Sequence, residues 1–182
     1  MEIIKTPISD LVVVKPRVFE DARGFFYESY NERAYYEVGI NLHFCQDNMS
    51  KSSYGVIRGL HYQLNPQSQS KLVSAVRGTV WDVAVDLRKN SSTFGQWYGV
   101  ELSEDNHLQF LIPQGFAHGF SVLTETAIFA YKCDNLYNPT LERGILFNDQ
   151  FLAIDWKIPV DKAVISDKDT KHPSFKDAEL NF

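Results

Sequence analysis

From Phe44 to Asp134 the chain is a succession of short apolar-rich runs divided by turn signals, with almost no apolar repeat at helical spacing. Strands are predicted over 44–50, 56–63, 72–77, 79–87, 97–102, 108–112, 116–123 and 127–134. Asn65-Pro66, Arg77-Gly78, Glu104-Asp105-Asn106 and Pro113-Gln114-Gly115 punctuate them. Upstream, Leu11-Val12-Val13-Val14 between Pro7 and Pro16 reads as a further strand. Residues 21–30 read as a turn feeding an aromatic strand with Phe26, Glu28 and Tyr30 on one face. Only 31–39 predicts a convincing helix in this half, with Asn31 as N-cap and Gly39 as its stop. Residues 138–182 carry more charge and Pro139, Pro159 and Pro173, and predict irregular structure and short helices over the strands. The expectation is all-β: an antiparallel jelly roll whose cup-shaped interior several strands can line with polar groups.

Composition narrows this. With 182 residues, 44% hydrophobic and 14% aromatic, the chain can fill one core but not two, so 1–182 is expected to be a single domain. Cys45 and Cys133 show no CxxC or framework spacing, and neither a signal segment nor a membrane-length run is present. A reduced, cytoplasmic location is expected. The formal charge of −5 argues against nucleic-acid or anionic-membrane binding, so any anion site must be a local convergence of basic residues.

The chemistry concentrates in Val56-Ile57-Arg58-Gly59-Leu60-His61-Tyr62-Gln63. On a regular strand Arg58 and His61, three apart, would face opposite ways; a bulge at Gly59 would turn both into one cavity. An imidazole can take a proton near neutral pH and an arginine can hold an anion, a pairing suited to acid-base work on a phosphorylated substrate. Taken alone, R-G-x-H is more often a core histidine beside a surface arginine. Lys71, ten residues on across a polar turn, and Tyr131, on the face of its strand shared with Phe129, would each be structural more often than not. With His61 they make a base, a cation and a weak acid, the set needed for enolisation beside a carbonyl. Arg23, Phe26 and Glu28 could stack and hydrogen-bond a nucleoside, or could belong to a core strand. His118, in Pro113-Gln114-Gly115-Phe116-Ala117-His118, resembles the histidine of the second cupin motif, often a metal ligand. The first motif's H-x-H is here His61-Tyr62-Gln63, so the metal reading lacks a ligand, and His118 is expected to contact substrate or shape the cavity.

In order along the chain, Asp21-Ala22-Arg23-Gly24-Phe25-Phe26-Tyr27-Glu28, Gln46-Asp47-Asn48, Arg58-Gly59-Leu60-His61, Pro113 to Phe120, and Ser166-Asp167-Lys168-Asp169 resemble the dTDP-4-dehydrorhamnose 3,5-epimerase family. The resemblance covers nearly the whole chain. It implies a metal-free cupin-type jelly roll, a homodimer and no cofactor, acting on a dTDP-4-keto-6-deoxy sugar on the way to dTDP-L-rhamnose. By matching positions it implies His61 as base with Asp169 as its partner, Lys71 as enolate stabiliser and Tyr131 as the acid on the opposite face. Arg23, Phe26, Glu28, Gln46, Asn48, Arg58, His118, Glu142 and Lys168 would surround nucleotide and sugar, the strand from Arg23 to Glu28 reaching a neighbouring subunit. Without the resemblance, 164–169 would pass for a solvated charged turn. The alternatives are an enzyme inverting one centre only, a metal-dependent cupin using His61 and His118, or a noncatalytic nucleotide-sugar-binding sandwich.

Overall fold

The eight runs predicted between 44 and 134 all form strands in the computed structural model, which describes residues 1–182. In chain order the strands are β1 (Glu2–Lys5), β2 (Val12–Lys15), β3 (Phe19–Asp21), β4 (Gly24–Phe26), β5 (Gln46–Ser53), β6 (Ile57–Gln63), β7 (Lys71–Arg77), β8 (Thr79–Asp86), β9 (Trp97–Ser103), β10 (Gln109–Ile112), β11 (Phe116–Val122), β12 (Thr126–Cys133) and β13 (Glu142–Gly144). The single α-helix, α1 (Glu32–Glu37), starts where expected: Asn31 is its N-cap, its side chain accepting from the Ala34 N–H.

Two antiparallel sheets face each other, ordered β1-β2-β10-β7-β12-β5 and β13-β6-β11-β8-β9, with β3 and β4 forming a separate hairpin. This is the jelly roll the pattern predicts. Val13, Val73, Phe110, Ala127 and Phe129 from the first sheet meet Val80, Ala84, Leu102, Phe116 and Phe120 from the second. The Phe120 and Phe129 rings stack across that space at 4.2 Å. Burying each such side chain stabilises the fold by about 1.5–3 kcal/mol.

The outer faces are covered too, which explains why β8 reads as almost continuously apolar. Val83 and Val85 turn outward onto Ile145, Leu152, Trp156 and Phe175 of the C-terminal segment, while Val80 and Ala84 turn inward. Helix α1 lays Tyr35 on Val14, Leu72 and Leu111 of the first sheet. The C-terminal segment contributes one strand and three single-turn 3-10 helices, at Val160–Lys162, Asp169–Lys171 and Phe175–Asp177.

Between residues 21 and 30 the structure departs from expectation. The strand ends at Phe26, so Phe26, Glu28 and Tyr30 do not share a strand face. Tyr27 instead packs on His107, and the Ser29 carbonyl accepts from the Gln109 side chain, drawing the chain onto the first sheet. β1, β3 and β13 have no counterpart in the sequence pattern, being three or four residues long.

Candidate active site

The space between the sheets changes from apolar to polar along its length. On β12 inward-facing Ala127 and Phe129 give way to Tyr131; on β7 Ala75 and Val73 give way to Lys71. At the polar end a cavity of about 220 Å³ is lined by His61, Gln63, Lys71, Tyr131, Gln46, Asn48, Gln69, Tyr137 and Glu142, with Tyr62 at its edge.

His61 reaches it because of a bulge. His61 pairs with His118 and Arg58 with Phe120, leaving Gly59 and Leu60 both opposite Gly119. Ile57, Leu60 and Tyr62 pack into the outer core, so Arg58 and His61 are both left to the inner face. Gly59 has φ +124°, and a Cβ there would stand 2.6 Å from the Gly119 Cα; only glycine fits. Arg58 is exposed, and its Nε donates to Ser52 Oγ of β5 in the facing sheet at 3.1 Å.

His61 Nε2 donates to Asp169 Oδ1 at 2.8 Å, which leaves Nδ1 as the ring nitrogen with a free lone pair. Asp169 is buried, and the Ser166 Oγ accepts from its backbone N–H. Burial opposes ionisation of Asp169, but the hydrogen bond from His61 and the Gly59 N–H at 3.4 Å help hold its carboxyl below the usual range. It therefore stays an acceptor and fixes the His61 tautomer.

Burial pushes the Lys71 pKa down, against the pull of Cys133, Asp82 and Glu142. Burial pushes the Tyr131 hydroxyl up, so it keeps its proton and can donate it. Cys133, beside Lys71 on the paired strand, is pushed up to about 11 and is an inert thiol. At the rim, Lys168 Nζ donates to Glu142 Oε2 at 2.5 Å and Tyr137 Oη donates to the same oxygen at 2.9 Å. Burial opposes ionisation of Glu142, and these two bonds override it.

His118 lies deeper. Its Nε2 sits 3.0 and 2.9 Å from the two Asp82 oxygens, and its ring stacks on Phe129 at 6.0 Å. Burial pushes Asp82 up and His118 down, which favours the neutral pair. His61 and His118 are register partners, yet each Nε2 is turned to its own carboxylate, so the two do not form a joint ligand set.

Four expected binding residues are not brought to this cavity, His118, beneath it on Asp82, among them. Arg23 and Phe26 are exposed on the β3–β4 hairpin, Arg23 held by Asp21, and Glu28 bonds Asn31 instead. Gln46, Asn48, Glu142, Lys71 and Tyr131 do line it, with Lys168 at its rim and Arg58 nearby. Missed were Asp82, Gln63, Gln69, Tyr137 and His172. An acid inside the apolar run Val80 to Leu87 was a usable signal for Asp82; Tyr137 and His172 lie in aperiodic segments that gave none.

The family model described as dTDP-4-dehydrorhamnose 3,5-epimerase matches residues 5–177. A protein of that name from Shigella flexneri is 53% identical over 180 residues, 98% of each chain. The crystal structure of dTDP-4-dehydrorhamnose 3,5-epimerase from Elizabethkingia anophelis superposes with a TM-score of 0.93 at 59% identity, covering 97% of both chains. The Legionella pneumophila dTDP-6-deoxy-D-glucose-3,5-epimerase, crystallised with dTDP-4-keto-L-rhamnose, gives 0.92 at 50% identity, covering 96% of this chain and 93% of its own.

Proposed function

This chain belongs to the dTDP-4-dehydrorhamnose 3,5-epimerase family, and from that premise we propose how its own side chains carry the reaction. The enzyme is an isomerase that inverts C3 and C5 of dTDP-4-dehydro-6-deoxy-D-glucose, giving dTDP-4-dehydro-L-rhamnose in dTDP-L-rhamnose biosynthesis. The protons on C3 and C5 both adjoin the C4 ketone, so removing either gives an enolate on the same oxygen. His61 Nδ1 takes the proton, and Asp169 stabilises the imidazolium that results. Lys71 stabilises the charge on O4, and Tyr131 returns a proton from the opposite face of the ring. One site serves both inversions as the ring turns over. A positioned base is worth about 10²- to 10⁴-fold, and a preorganised cation at the developing oxyanion about as much again. The reaction is redox-neutral, and these residues need neither cofactor nor metal for it.

The observation that carries this reading is the His61–Asp169 pair at the wall of a cavity that Lys71 and Tyr131 also line. At about 220 Å³ the cavity has room for the sugar, leaving the diphosphate to Arg58, Lys168 and the rim. His118 then holds the cavity floor, while Gln46, Asn48 and Glu142 contact sugar and nucleotide. Arg23, Phe26 and Glu28 reach the nucleotide bound in the other subunit of a homodimer. The exposed Phe19, Phe25 and Phe26 support this, since such an aromatic hairpin is costly to leave in water. The chain is read as one cupin-type domain acting in the cytoplasm, with no nucleic-acid partner. No helix is long and apolar enough to cross a membrane.

The variant Y131F tests the division of labour. Without the acid on the far face, base and cation still act. Y131F is expected to wash solvent deuterium into the substrate with retained configuration, while product formation falls by about 10²-fold or more. Unchanged product formation would contradict the role given to Tyr131.

A further inference from the structure

One polar atom beside the dyad has no role in this reaction and no hydrogen-bond partner: the buried Nε2 of His172. His172 follows the 3-10 turn that carries Asp169, and its Nε2 is 3.4 Å from Asp169 Oδ1, the oxygen that also accepts from His61. Its ring stands edge-on to that of His61, centroids 5.6 Å apart at 81°. Gly144 makes the space: a Cβ there would come within 2.3 Å of the His172 Nε2, so the ring is wedged in place. One nitrogen from each histidine and one oxygen of Asp169 consequently lie within 4.8 Å of one another.

Two imidazoles and a carboxylate form a donor set for Zn²⁺ and similar late first-row ions, with remaining positions open to water from the cavity. Zinc–nitrogen bonds are about 2.0–2.1 Å, so tetrahedral donors stand about 3.3 Å apart, and a pair at the 4.8 Å limit must draw together by about 1.5 Å. The His61 side chain, 30% exposed at the cavity wall, has freedom to turn and gives the ion its entry.

We propose that His61, Asp169 and His172 bind Zn²⁺, and that occupation switches the dyad off. In the ion-free enzyme Nε2 carries the His61 proton and Nδ1 holds the lone pair. Zinc takes the lone pair of Nε2, so the proton of the neutral ring moves to Nδ1, the nitrogen facing the substrate. No base remains there. The site itself stands on the cluster; the inhibition rests on His61 being the base.

The test uses chelator-stripped full-length protein and Zn²⁺ alone, titrated by calorimetry against wild type, H172Q and the surface control H43Q. One ion per chain is expected in wild type and H43Q. Loss of the ligand in H172Q should weaken binding by more than the roughly 10- to 100-fold typical of an outer-shell partner. Zinc that saturates wild type should also abolish its deuterium uptake into substrate. Should H172Q fail to fold, Co²⁺ on wild type substitutes: its paramagnetic shifts must fall on the His61 and His172 ring resonances. Equal binding by H172Q, or shifts confined to His43 and His107, would overturn the site and leave the base assignment intact. Binding that depends on His172 without inhibition would overturn the switch.

Discussion

At the scale of single residues, Lys71 shows function set against stability. Burial lowers its pKa, so the folded protein holds the charged form less readily than the unfolded chain does. The resulting penalty is full below the folded pKa and vanishes as pH rises through the ordinary lysine value of about 10.4. K71M removes the charge and keeps the stem, so it should raise Tm near neutral pH, with the gap over wild type narrowing towards pH 10. Turnover should fall by about 10²- to 10³-fold, because no cation then meets the enolate. Thermal melts across pH and steady-state rates check both halves; a lowered Tm with unimpaired turnover would contradict both. Such a trade is expected where a site keeps a group that the fold would rather lose.

At the scale of elements, β6 does most to build the site. Its bulge turns Arg58 and His61 to one side, and a side chain at residue 59 would collide with the Gly119 backbone. G59A should destabilise the fold by about 1–3 kcal/mol in urea titrations and lower activity further by moving His61. Wild-type stability in that variant would show that the close approach is not required. This bulge was legible, since one glycine between two residues of paired chemistry is a signal in its own right. So were the strands of 44–134, α1 with its Asn31 cap, the place of Lys71 across the polar turn from His61, and that of Tyr131, because periodicity of two decides which side chains turn inward. Less could be read where the chain lacks a period. The turn from Ser166 to Asp169 carries a charge pattern like any solvated surface, and only the motif resemblance pointed to Asp169 as the partner of His61. His172 had no signal, because its position depends on the space that Gly144 leaves on another strand.

At the scale of the whole molecule, the cavity and the β3–β4 hairpin belong to one function only if two chains share it. Within one chain Arg23 and Phe26 lie apart from His61, and the hairpin's aromatic side chains face water. A homodimer that exchanges hairpins would complete each site with the other chain's Arg23 and Phe26. Mixing inactive H61A with impaired R23A/F26A should then regenerate activity, approaching one wild-type site in each mixed dimer, whereas sites built within one chain would show no gain. The central claim is that one histidine removes the protons of both carbons. Its most direct measurement is NMR of dTDP-4-dehydro-6-deoxy-D-glucose incubated in D₂O with wild type and with H61N. Deuterium at both C3 and C5 with wild type, and at neither with H61N, is the predicted result; uptake at either carbon that persists in H61N would contradict it.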